Sequence, residues 1–343
     1  MTISKFSLAG LSRRNFMALA GAGTVAAGLS GRAFAQAEPT DLAVQLNWLE
    51  TADFAPAFAA EMMGYDVAHG IRQSFVPGGP QIDPIQSVAG GSAPVGFAAS
   101  VGQCALARAS GIPIKIFGAF NRTSPIGLIS LAENAITTPA DAVGKRIGLQ
   151  GGARLAWSII LKENALSEGD MTIVPVAGDV SPLVSKQVDG FWGSAVNQHI
   201  SLARAGVPNH IMTRSEVGAP EHFGVLFALE STLAERRDDI VAWLAALVEG
   251  QRYYMGNSDI VADHIVARSP ALQLNTEQLR EQSAAIISFI NVAGKDLPLL
   301  RLDEEGGAQA ISQLDAQGQL PSPVSLADLL DGSLLDEAYA VLG

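Results

Sequence analysis

The sequence predicts an α/β fold arranged as two lobes. Two successive blocks of short apolar strands alternating with helices favour mixed, mostly parallel sheets flanked by helices. A helix-rich segment follows them from Leu233 onward. Of the 343 residues, 308 remain once the first 35 are set aside, and this length exceeds what one hydrophobic core usually organises. Two lobes are therefore expected.

The first 35 residues have the features of an export signal. Two arginines, Arg13 and Arg14, precede the weakly apolar run 18–29, and the small residues Ala33 and Ala35 follow it. This order predicts a twin-arginine signal peptide that is removed after export to the periplasm. The alternative is a buried N-terminal helix.

The exported chain is expected to be strongly acidic. The whole sequence has 22 basic and 34 acidic residues, and four of the basic ones lie in the first 35, so export leaves 18 basic residues and changes the net charge from -12 to -16. A surface of this sign repels phosphate backbones, which excludes nucleic acid as a partner. It does not exclude a small anion, because local dipoles in a cleft can outweigh the overall charge.

Motifs for catalysis and for metal binding are missing from the sequence. The one cysteine, Cys104, lies in the apolar run 101–109, which favours core packing over nucleophilic chemistry. The five histidines lack the spacing of metal ligands, and neither G-x-S-x-G nor H-E-x-x-H occurs. We therefore expect a protein that is not an enzyme and holds no metal or cofactor.

Strands and helices can be assigned in chain order. Predicted strands span residues 42–46, 71–76, 95–98, 112–119, 146–149, 172–176, 190–192 and 223–229. Predicted helices span residues 54–63, 84–89, 101–110, 154–165, 182–187, 197–205, 233–255, 258–267, 276–290, 307–317 and 325–330. Residues 36–123 and 224–343 are assigned to lobe 1 and residues 124–223 to lobe 2, with the two crossings between them forming a hinge.

Four strand-to-helix turns are candidates for a ligand site, because ligands of open α/β sheets lie beyond the carboxyl ends of the strands. The first turn carries Asn47 and Trp48 and continues to Asp53 and Phe54. A tryptophan directly after a strand can offer a flat ring to a planar ligand, with Asn47 as a polar contact. Packing between the lobes is the alternative for Trp48.

The other three turns contribute glycines and polar groups. Gly79 lies in a Pro-Gly-Gly-Pro turn whose backbone a ligand can approach closely. Ser100 stands where a helix N-cap is expected, and its hydroxyl and the N–H groups from Val101 onward either cap the helix or bind a ligand oxygen. Gln150 and Gly152 open the helix that faces this one across the predicted cleft.

The second lobe offers a second aromatic ring. Trp192 is placed at the end of the short predicted strand 190–192, where the chain turns, and the amide pair Asn197-Gln198 follows, with Asn197 beginning the next helix. A closed cleft that brought Trp48 and Trp192 to one ligand would hold a planar molecule between two rings.

Six motifs occur in one order along residues 42–230. They are Asn47-Trp48, Ala59-Ala60-Glu61-Met62-Met63-Gly64-Tyr65, Val76-Pro77-Gly78-Gly79-Pro80, Asp83-Pro84-Ile85-Gln86, Asp179-Val180-Ser181-Pro182-Leu183 and Val188-Asp189-Gly190-Phe191. In this order they resemble the thiamine-pyrimidine-precursor-binding group of periplasmic solute-binding proteins, which is related to the nitrate, sulfonate and taurine binders.

The resemblance implies a type II periplasmic binding protein, a monomer that delivers a small planar heterocycle to the permease of an ABC importer in the inner membrane. The implied cleft positions are Trp48, Gly79, Ser100, Gln150 and Asn197. One position departs from the group, whose members often have histidine where this chain has Phe54, preceded by Asp53. The departure weakens the assignment of a pyrimidine and leaves room for another planar solute.

Three other functions stay open at this point. The ligand of a related binder can be a small sulfonate-like or nitrate-like anion. Some relatives of this fold are enzymes that make the thiamine pyrimidine, although these look cytosolic and rich in cysteine and histidine near the active site. A periplasmic sensor that presents its ligand to a receptor has the same fold.

Overall fold

A computed structural model of the chain describes residues 38–79, 81–151, 153–291 and 295–343. The predicted signal peptide, residues 1–35, lies outside them. The strands in the described part of the chain are β1 (Thr40–Gln45), β2 (Ile71–Val76), β3 (Val95–Ala98), β4 (Ile114–Asn121), β5 (Ile126–Leu131), β6 (Arg146–Leu149), β7 (Thr172–Pro175), β8 (Gly190–Ser194), β9 (Asn209–Thr213) and β10 (Phe223–Leu229).

Helices cover the sheets and form most of the C-terminal third. They are α1 (Ala55–Met63), α2 (Tyr65–Ala68), α3 (Pro84–Ala89), α4 (Val101–Ala109), α5 (Ala153–Glu163), α6 (Ser181–Val184), α7 (Gln198–Arg204), α8 (Glu230–Glu235), α9 (Arg237–Gly256), α10 (Ser258–Arg268), α11 (Thr276–Ile286), α12 (Glu304–Ala316), α13 (Leu326–Leu329) and α14 (Ser333–Leu342). Within the described residues, none of them combines the length and the apolar character needed to cross a membrane.

The strands form two five-stranded sheets. The first has the order β2-β1-β3-β10-β4 and the second the order β7-β6-β8-β5-β9. In the first sheet β10 runs antiparallel to both neighbours, and β5 does so in the second, while the other pairs are parallel. The prediction of two mixed sheets flanked by helices is confirmed, and the single reversed strand in each makes half of the pairings antiparallel.

The carboxyl ends of the parallel strands mark one edge of each sheet. In the first sheet β1, β2 and β3 run together, so their ends at residues 45, 76 and 98 share an edge. In the second sheet the ends of β6, β7 and β8 do the same, and β9 joins them because β8 and β9 are both antiparallel to β5. We call these the first and second carboxyl edges.

The chain passes twice between the sheets. It leaves the first sheet after Asn121 and enters the second at Ile126, then returns between Thr213 and Phe223. These passages are the candidates for the predicted hinge, and the predicted lobe boundaries stay a prediction.

Both passages are fastened to the segment that precedes α12. Arg122, in the first passage, is 4% exposed and donates to the carbonyl oxygens of Leu297 and Arg301, each at 2.9 Å. In the second passage, Nε2 of His222 accepts a hydrogen bond from the N–H of Asp303 at 2.9 Å. Since a buried cation needs polar partners, these carbonyl groups replace the water that Arg122 loses.

Some elements differ from the sequence prediction. Strands β5 and β9 pair with each other but were not predicted, and neither was α14. The prediction of one helix over residues 233–255 is wrong, because the backbone of Arg236 is not helical and separates α8 from α9. The Arg236 side chain donates to the carbonyl oxygen of Asp41 at 3.0 Å, which fixes this break against β1.

Candidate functional site

Trp48 and Gly178 bring the two carboxyl edges into contact. Trp48 follows β1 at the first carboxyl edge, and Gly178 follows β7 at the second. A Cβ atom built on Gly178 would lie 3.8 Å from Cη2 and 4.0 Å from Cζ2 of Trp48. The indole is half-buried and packs in part against the buried apolar side chains between the first sheet and α9, which we call the first core. The two edges therefore face each other at this contact, and we call the space between them the cleft.

The turn that holds Trp48 is fixed by the neighbouring strand end. The N–H of Gly78 donates to the carbonyl oxygen of Trp48 at 3.0 Å. A Cβ atom at Gly78 would lie 2.4 Å from the carbonyl oxygen of Leu46, so only glycine fits there. Gln45 is 1% exposed and donates to the carbonyl oxygens of Leu46 and Val76 at 3.0 and 3.2 Å. These bonds join the first two predicted turns into one unit.

Asn47 and Gly79 both lie in this unit. Asn47 is half-buried beside Trp48. A Cβ atom at Gly79 would have no atom of the described residues within 4 Å, unlike one at Gly78. The structure thus places both predicted residues at the first carboxyl edge, and the steric requirement for glycine lies at Gly78.

The loop after Trp48 is fastened to the end of α10. Nη1 of Arg268 lies 2.9 Å from Oε2 of Glu50, and the Ser269 hydroxyl donates to the same carboxylate. Phe54, at the end of this loop, is 1% exposed, and its ring centroid lies 5.4 Å from that of Phe97. The Phe54 ring is therefore part of the first core, and a ligand contact for it stays a prediction that this burial does not support.

Asp53 is the acid of the same loop. It is half-buried, and its Oδ2 accepts a hydrogen bond from the Thr51 hydroxyl at 3.3 Å. Loss of hydration raises the pKa of this carboxyl to about 6, and the hydrogen bond from Thr51 opposes the shift. Above that pH the loop that follows Trp48 carries a negative charge.

Amide side chains occupy the second carboxyl edge. Nε2 of Gln150 donates to the carbonyl oxygen of Trp192 at 3.0 Å. Oε1 of Gln198 accepts from the N–H of Ser194 at 3.0 Å, and its Nε2 lies 3.4 Å from the carbonyl oxygen of Gly178. Gln198 therefore helps to hold the loop that meets Trp48. Gly152, predicted beside Gln150, lies outside the described residues.

Asn197 connects the second sheet with the C-terminal helices. Its Oδ1 accepts a hydrogen bond from Nε2 of Gln282 at 3.2 Å. One turn further along α7, the Ser201 hydroxyl accepts from Nε2 of Gln278 at 2.9 Å. These contacts link the second carboxyl edge to α11.

The prediction that the strand ends at Trp192 and the chain turns there is wrong. Trp192 lies inside β8 and is paired with Leu128 of β5. It is 6% exposed, and its ring packs edge to face against Trp157 with centroids 6.2 Å apart. The structure thus brings Trp48 to the cleft and leaves Trp192 in a separate cluster of buried apolar side chains that includes Leu128 and Trp157. A ligand contact of Trp192 stays a prediction without support from this geometry.

The start of α4 is capped from within the chain. Ser100 is its N-cap, since the Ser100 hydroxyl accepts the N–H of Gln103 at 3.0 Å. Val101 is fully buried, and its N–H donates to Oε1 of Glu221 at 3.2 Å. Capping by Ser100 is confirmed. Ligand contacts at Ser100 and Val101 stay predictions, and the Val101 N–H is already bound to Glu221.

Sequence reasoning missed three residues at the carboxyl edges: Gln45, Gly178 and Glu221. Gln198 was noted there only as the amide that follows Asn197. Glu221 offers no local signal, since it meets α4 across 120 positions of sequence.

A surface cavity of about 650 Å³ lies elsewhere, lined by parts of residues 301–308 and 326–336. None of the predicted site residues lines it. Its walls include the Arg301–Asp336 ion pair at the protein surface, so its size does not mark a ligand site. Among the described residues, no group of three or more His, Cys, Asp or Glu side chains could hold a metal ion.

Residues 51–259, more than half of the chain, match the protein family described as NMT1/THI5 like. The chain belongs to that family. The match confirms the resemblance drawn from the six sequence motifs. A formylaminopyrimidine-binding protein of Halalkalibacterium halodurans is 24% identical to this NMT1/THI5-like chain over 302 residues, which cover 83% of this chain and 88% of that protein.

Two further comparisons concern an enzyme and a solved structure. A 4-amino-5-hydroxymethyl-2-methylpyrimidine phosphate synthase of Schizosaccharomyces pombe is 28% identical over 160 residues, so the match spans 46% of each chain. The alkanesulfonate-binding protein SsuA from Xanthomonas axonopodis pv. citri has a TM-score of 0.65 at 17% identity, covering 86% of this chain and 99% of that one. This likeness shows the fold, and the predicted two-lobed α/β fold of periplasmic binding proteins is confirmed.

Proposed function

We propose that this chain captures a small planar or heteroaromatic molecule of pyrimidine-like chemistry in its cleft and delivers it to the permease of an ABC importer. The observation that carries the proposal is the position of Trp48, whose ring reaches from the first carboxyl edge to Gly178 at the second. A half-buried ring on a turn fixed by backbone hydrogen bonds offers a preformed stacking surface.

The polar groups at the two carboxyl edges suit a nitrogen heterocycle. Asn47, Gln150, Asn197 and Gln198 carry amides, and each amide both donates and accepts hydrogen bonds. Asp53 adds an acceptor for ring N–H or amino groups. The relative that is named for binding formylaminopyrimidine supports the same ligand class.

Closure of two lobes is the mechanism we propose for capture. Residues 36–123 with 224–343 form one lobe and residues 124–223 the other, and the two passages between the sheets act as the hinge. The contacts of Trp48 with Gly178 and of Asn197 with Gln282 would form on closure. Ligand binding then stabilises the closed state because the ligand touches both lobes.

We also propose that residues 1–35 are a twin-arginine signal and that the mature protein acts in the periplasm as a monomer without catalytic activity. The paired Arg13 and Arg14 support export. Cys104 is fully buried, and burial raises the pKa of its thiol well above the ordinary value, which disfavours the reactive thiolate. Changing both arginines to lysine should leave the precursor in the cytoplasm, as cell fractionation and intact-mass analysis would show.

The decisive experiment is ligand identification on protein purified from periplasm without unfolding. Native mass spectrometry should find a bound small molecule, and calorimetric titration should then measure binding of formylaminopyrimidine, 4-amino-5-hydroxymethyl-2-methylpyrimidine, nitrate and methanesulfonate. We expect a pyrimidine to bind and the two anions not to bind. Binding of an anion alone would refute the proposal.

A further inference from the structure

The first turn of α4 is hydrogen-bonded entirely within the chain at the residues where an anion would bind. The N–H groups of Val101 and Gly102 donate to Oε1 and Oε2 of Glu221, at 3.2 and 3.4 Å. The N–H of His222 donates to the same Oε1 at 3.1 Å, and the next helical N–H, that of Gln103, is taken by Ser100. The Glu221 carboxylate therefore occupies the N-terminus of α4, where the helix dipole favours negative charge.

A buried arginine accompanies this carboxylate. Arg214 is 7% exposed and Glu221 is 4% exposed, and Nη2 of Arg214 lies 3.9 Å from Oε2 of Glu221. Nε of Arg214 is buried and forms no hydrogen bond with the described residues. Burial raises the pKa of Glu221, and Arg214 and the three N–H donors oppose that shift. Three N–H donors and a guanidinium suit the ionised form, because every one of them needs an acceptor.

These groups lie at the facing edges of the two sheets. α4 begins three residues after β3 ends at the first carboxyl edge, and Arg214 follows β9 at the second. Ala99, just before the helix, is exposed at the first carboxyl edge. A second carboxylate, Asp53, lies at the first edge and is hydrogen-bonded to the Thr51 hydroxyl rather than to a cation.

We propose that Glu221 is a specificity-determining residue: a built-in anion that fills the start of α4 and excludes anionic solutes from this end of the cleft. The site then accepts molecules that are neutral or cationic at the group facing α4, and rejects nitrate and sulfonates by charge repulsion and by loss of the N–H donors. This inference rests on the proposed function in that it assigns the charge class of the ligand.

Removing the Glu221 carboxylate should turn the N-terminus of α4 into an anion-binding site. Glu221→Ala leaves the Arg214 guanidinium and the N–H groups of Val101 and Gly102 around a space the size of a small oxyanion. We expect this variant to have a lower melting temperature than the wild type. Sodium formate should raise that melting temperature in a saturable way. The melting temperature should rise by about 3 °C at a formate concentration ten-fold above its Kd.

Melting temperatures of the wild type, Glu221→Ala and Glu221→Gln are compared in sodium formate and in sodium gluconate at equal ionic strength. Gluconate is the control, because it is too large for the space. Glu221→Gln keeps the side-chain volume and removes the charge, so formate should stabilise it less than Glu221→Ala but more than the wild type. If Glu221→Ala does not fold, Glu221→Gln against the wild type carries the test. Equal stabilisation of the wild type and the variants by formate, or none of any protein, would overturn the inference.

Anion binding gives the second readout. Calorimetric titration with nitrate should show at least a ten-fold gain in affinity for Glu221→Ala over the wild type. Wild-type binding of nitrate or methanesulfonate with a Kd below 1 mM would overturn the inference. The formate result does not depend on the heterocycle. If formate stabilises Glu221→Ala and the wild type binds no pyrimidine, the role of Glu221 is supported and the proposed function is refuted. If formate does not stabilise Glu221→Ala and the wild type binds a pyrimidine, the role of Glu221 is refuted and the proposed function is supported.

Discussion

Gly178 lies against the edge of the Trp48 ring, with space for one methyl group between them. A Cβ atom at Gly178 would lie 3.8 Å from Cη2 of Trp48, which is an ordinary van der Waals distance. A larger side chain has no such space. Because the two residues belong to opposite edges of the cleft, the size of residue 178 should control how far the cleft closes.

Gly178→Ala and Gly178→Leu form a matched pair that tests this control. The alanine variant should bind the pyrimidine ligand within about two-fold of the wild type, since its methyl group fits. The leucine variant should bind the same ligand more than ten-fold more weakly than the wild type, because its side chain would overlap the indole in the closed state. Calorimetric titration measures the affinities, and melting curves check that both variants stay folded.

An equal loss of affinity in both Gly178 variants would contradict this explanation. It would indicate that residue 178 acts through its backbone, for example through its carbonyl oxygen, 3.4 Å from Nε2 of Gln198. Gln198→Ala would then reproduce the loss.

Trp48→Ala should weaken ligand binding by about 5- to 150-fold, because stacking on an aromatic ring contributes about 1–3 kcal/mol. The ring is half-buried, so the loss of folding stability should be smaller than for a fully buried tryptophan. Trp192→Ala is the matched control: Trp192 is 6% exposed and packs on Trp157, and its truncation should cost about 3–5 kcal/mol of folding stability. Titration and chemical denaturation on both variants separate the two roles, and a Trp48 variant that loses stability but keeps its affinity would show that Trp48 only packs.

Asp53 should make the protein less stable as the pH rises from about 4 to 6. Its pKa is 3.8 ordinarily and about 6 in the folded protein, where hydration is lost. Between these values the folded state keeps a proton that the unfolded state has released, so raising the pH favours unfolding. Asp53→Asn has no carboxyl to titrate, so its free energy of unfolding should equal that of the wild type at pH 3.5. At pH 7.5 it should be about 1–2 kcal/mol higher than that of the wild type, a modest difference because the carboxyl is only partly buried.

Chemical denaturation across that pH range checks the Asp53 prediction. Thr51→Val is a useful companion, because it removes the hydrogen bond that lowers the pKa of Asp53 and should extend the destabilised range to higher pH. Parallel pH profiles for Asp53→Asn and the wild type would show that this carboxyl stays hydrated.

The strands that the sequence reveals are those with uninterrupted local patterns. β10 is a buried apolar run and was predicted at its observed bounds. β5 was missed because Gly127 interrupts its apolar pattern. Glycine is required at this position by the neighbouring strand, since a Cβ atom there would lie 2.2 Å from the carbonyl oxygen of Met212 in β9. A local sequence pattern cannot predict such a contact between two strands that are far apart in the chain.

The candidate site shows the same limit. Trp48 and Trp192 both follow short apolar runs, and the sequence treats them alike. They differ because β8 continues past Trp192 to Ser194, where Gly193 packs so closely that a Cβ atom would lie 2.8 Å from Cδ1 of Ile129. Turns after strands are therefore predictable, whereas the direction of each side chain depends on contacts made by distant residues.

His222 should make the protein lose stability as the pH falls below 6.5. Burial lowers the pKa of this imidazole to about 4, and its exposure is 1%. Between pH 6.5 and 4 the unfolded state binds a proton that the folded state does not, so lowering the pH favours unfolding. Nε2 accepts the N–H of Asp303, which requires the neutral ring with its proton on Nδ1.

His222→Gln is the variant that isolates this effect, because a glutamine oxygen can accept the same N–H of Asp303 and does not titrate. Between pH 7 and pH 5 the wild type should lose about 2 kcal/mol more free energy of unfolding than His222→Gln. Urea denaturation at the two pH values measures the difference, and NMR titration of the His222 ring protons locates its pKa directly. Since His222 lies in the second passage between the sheets, equal losses in both proteins would mean that water reaches this passage and hydrates the imidazole.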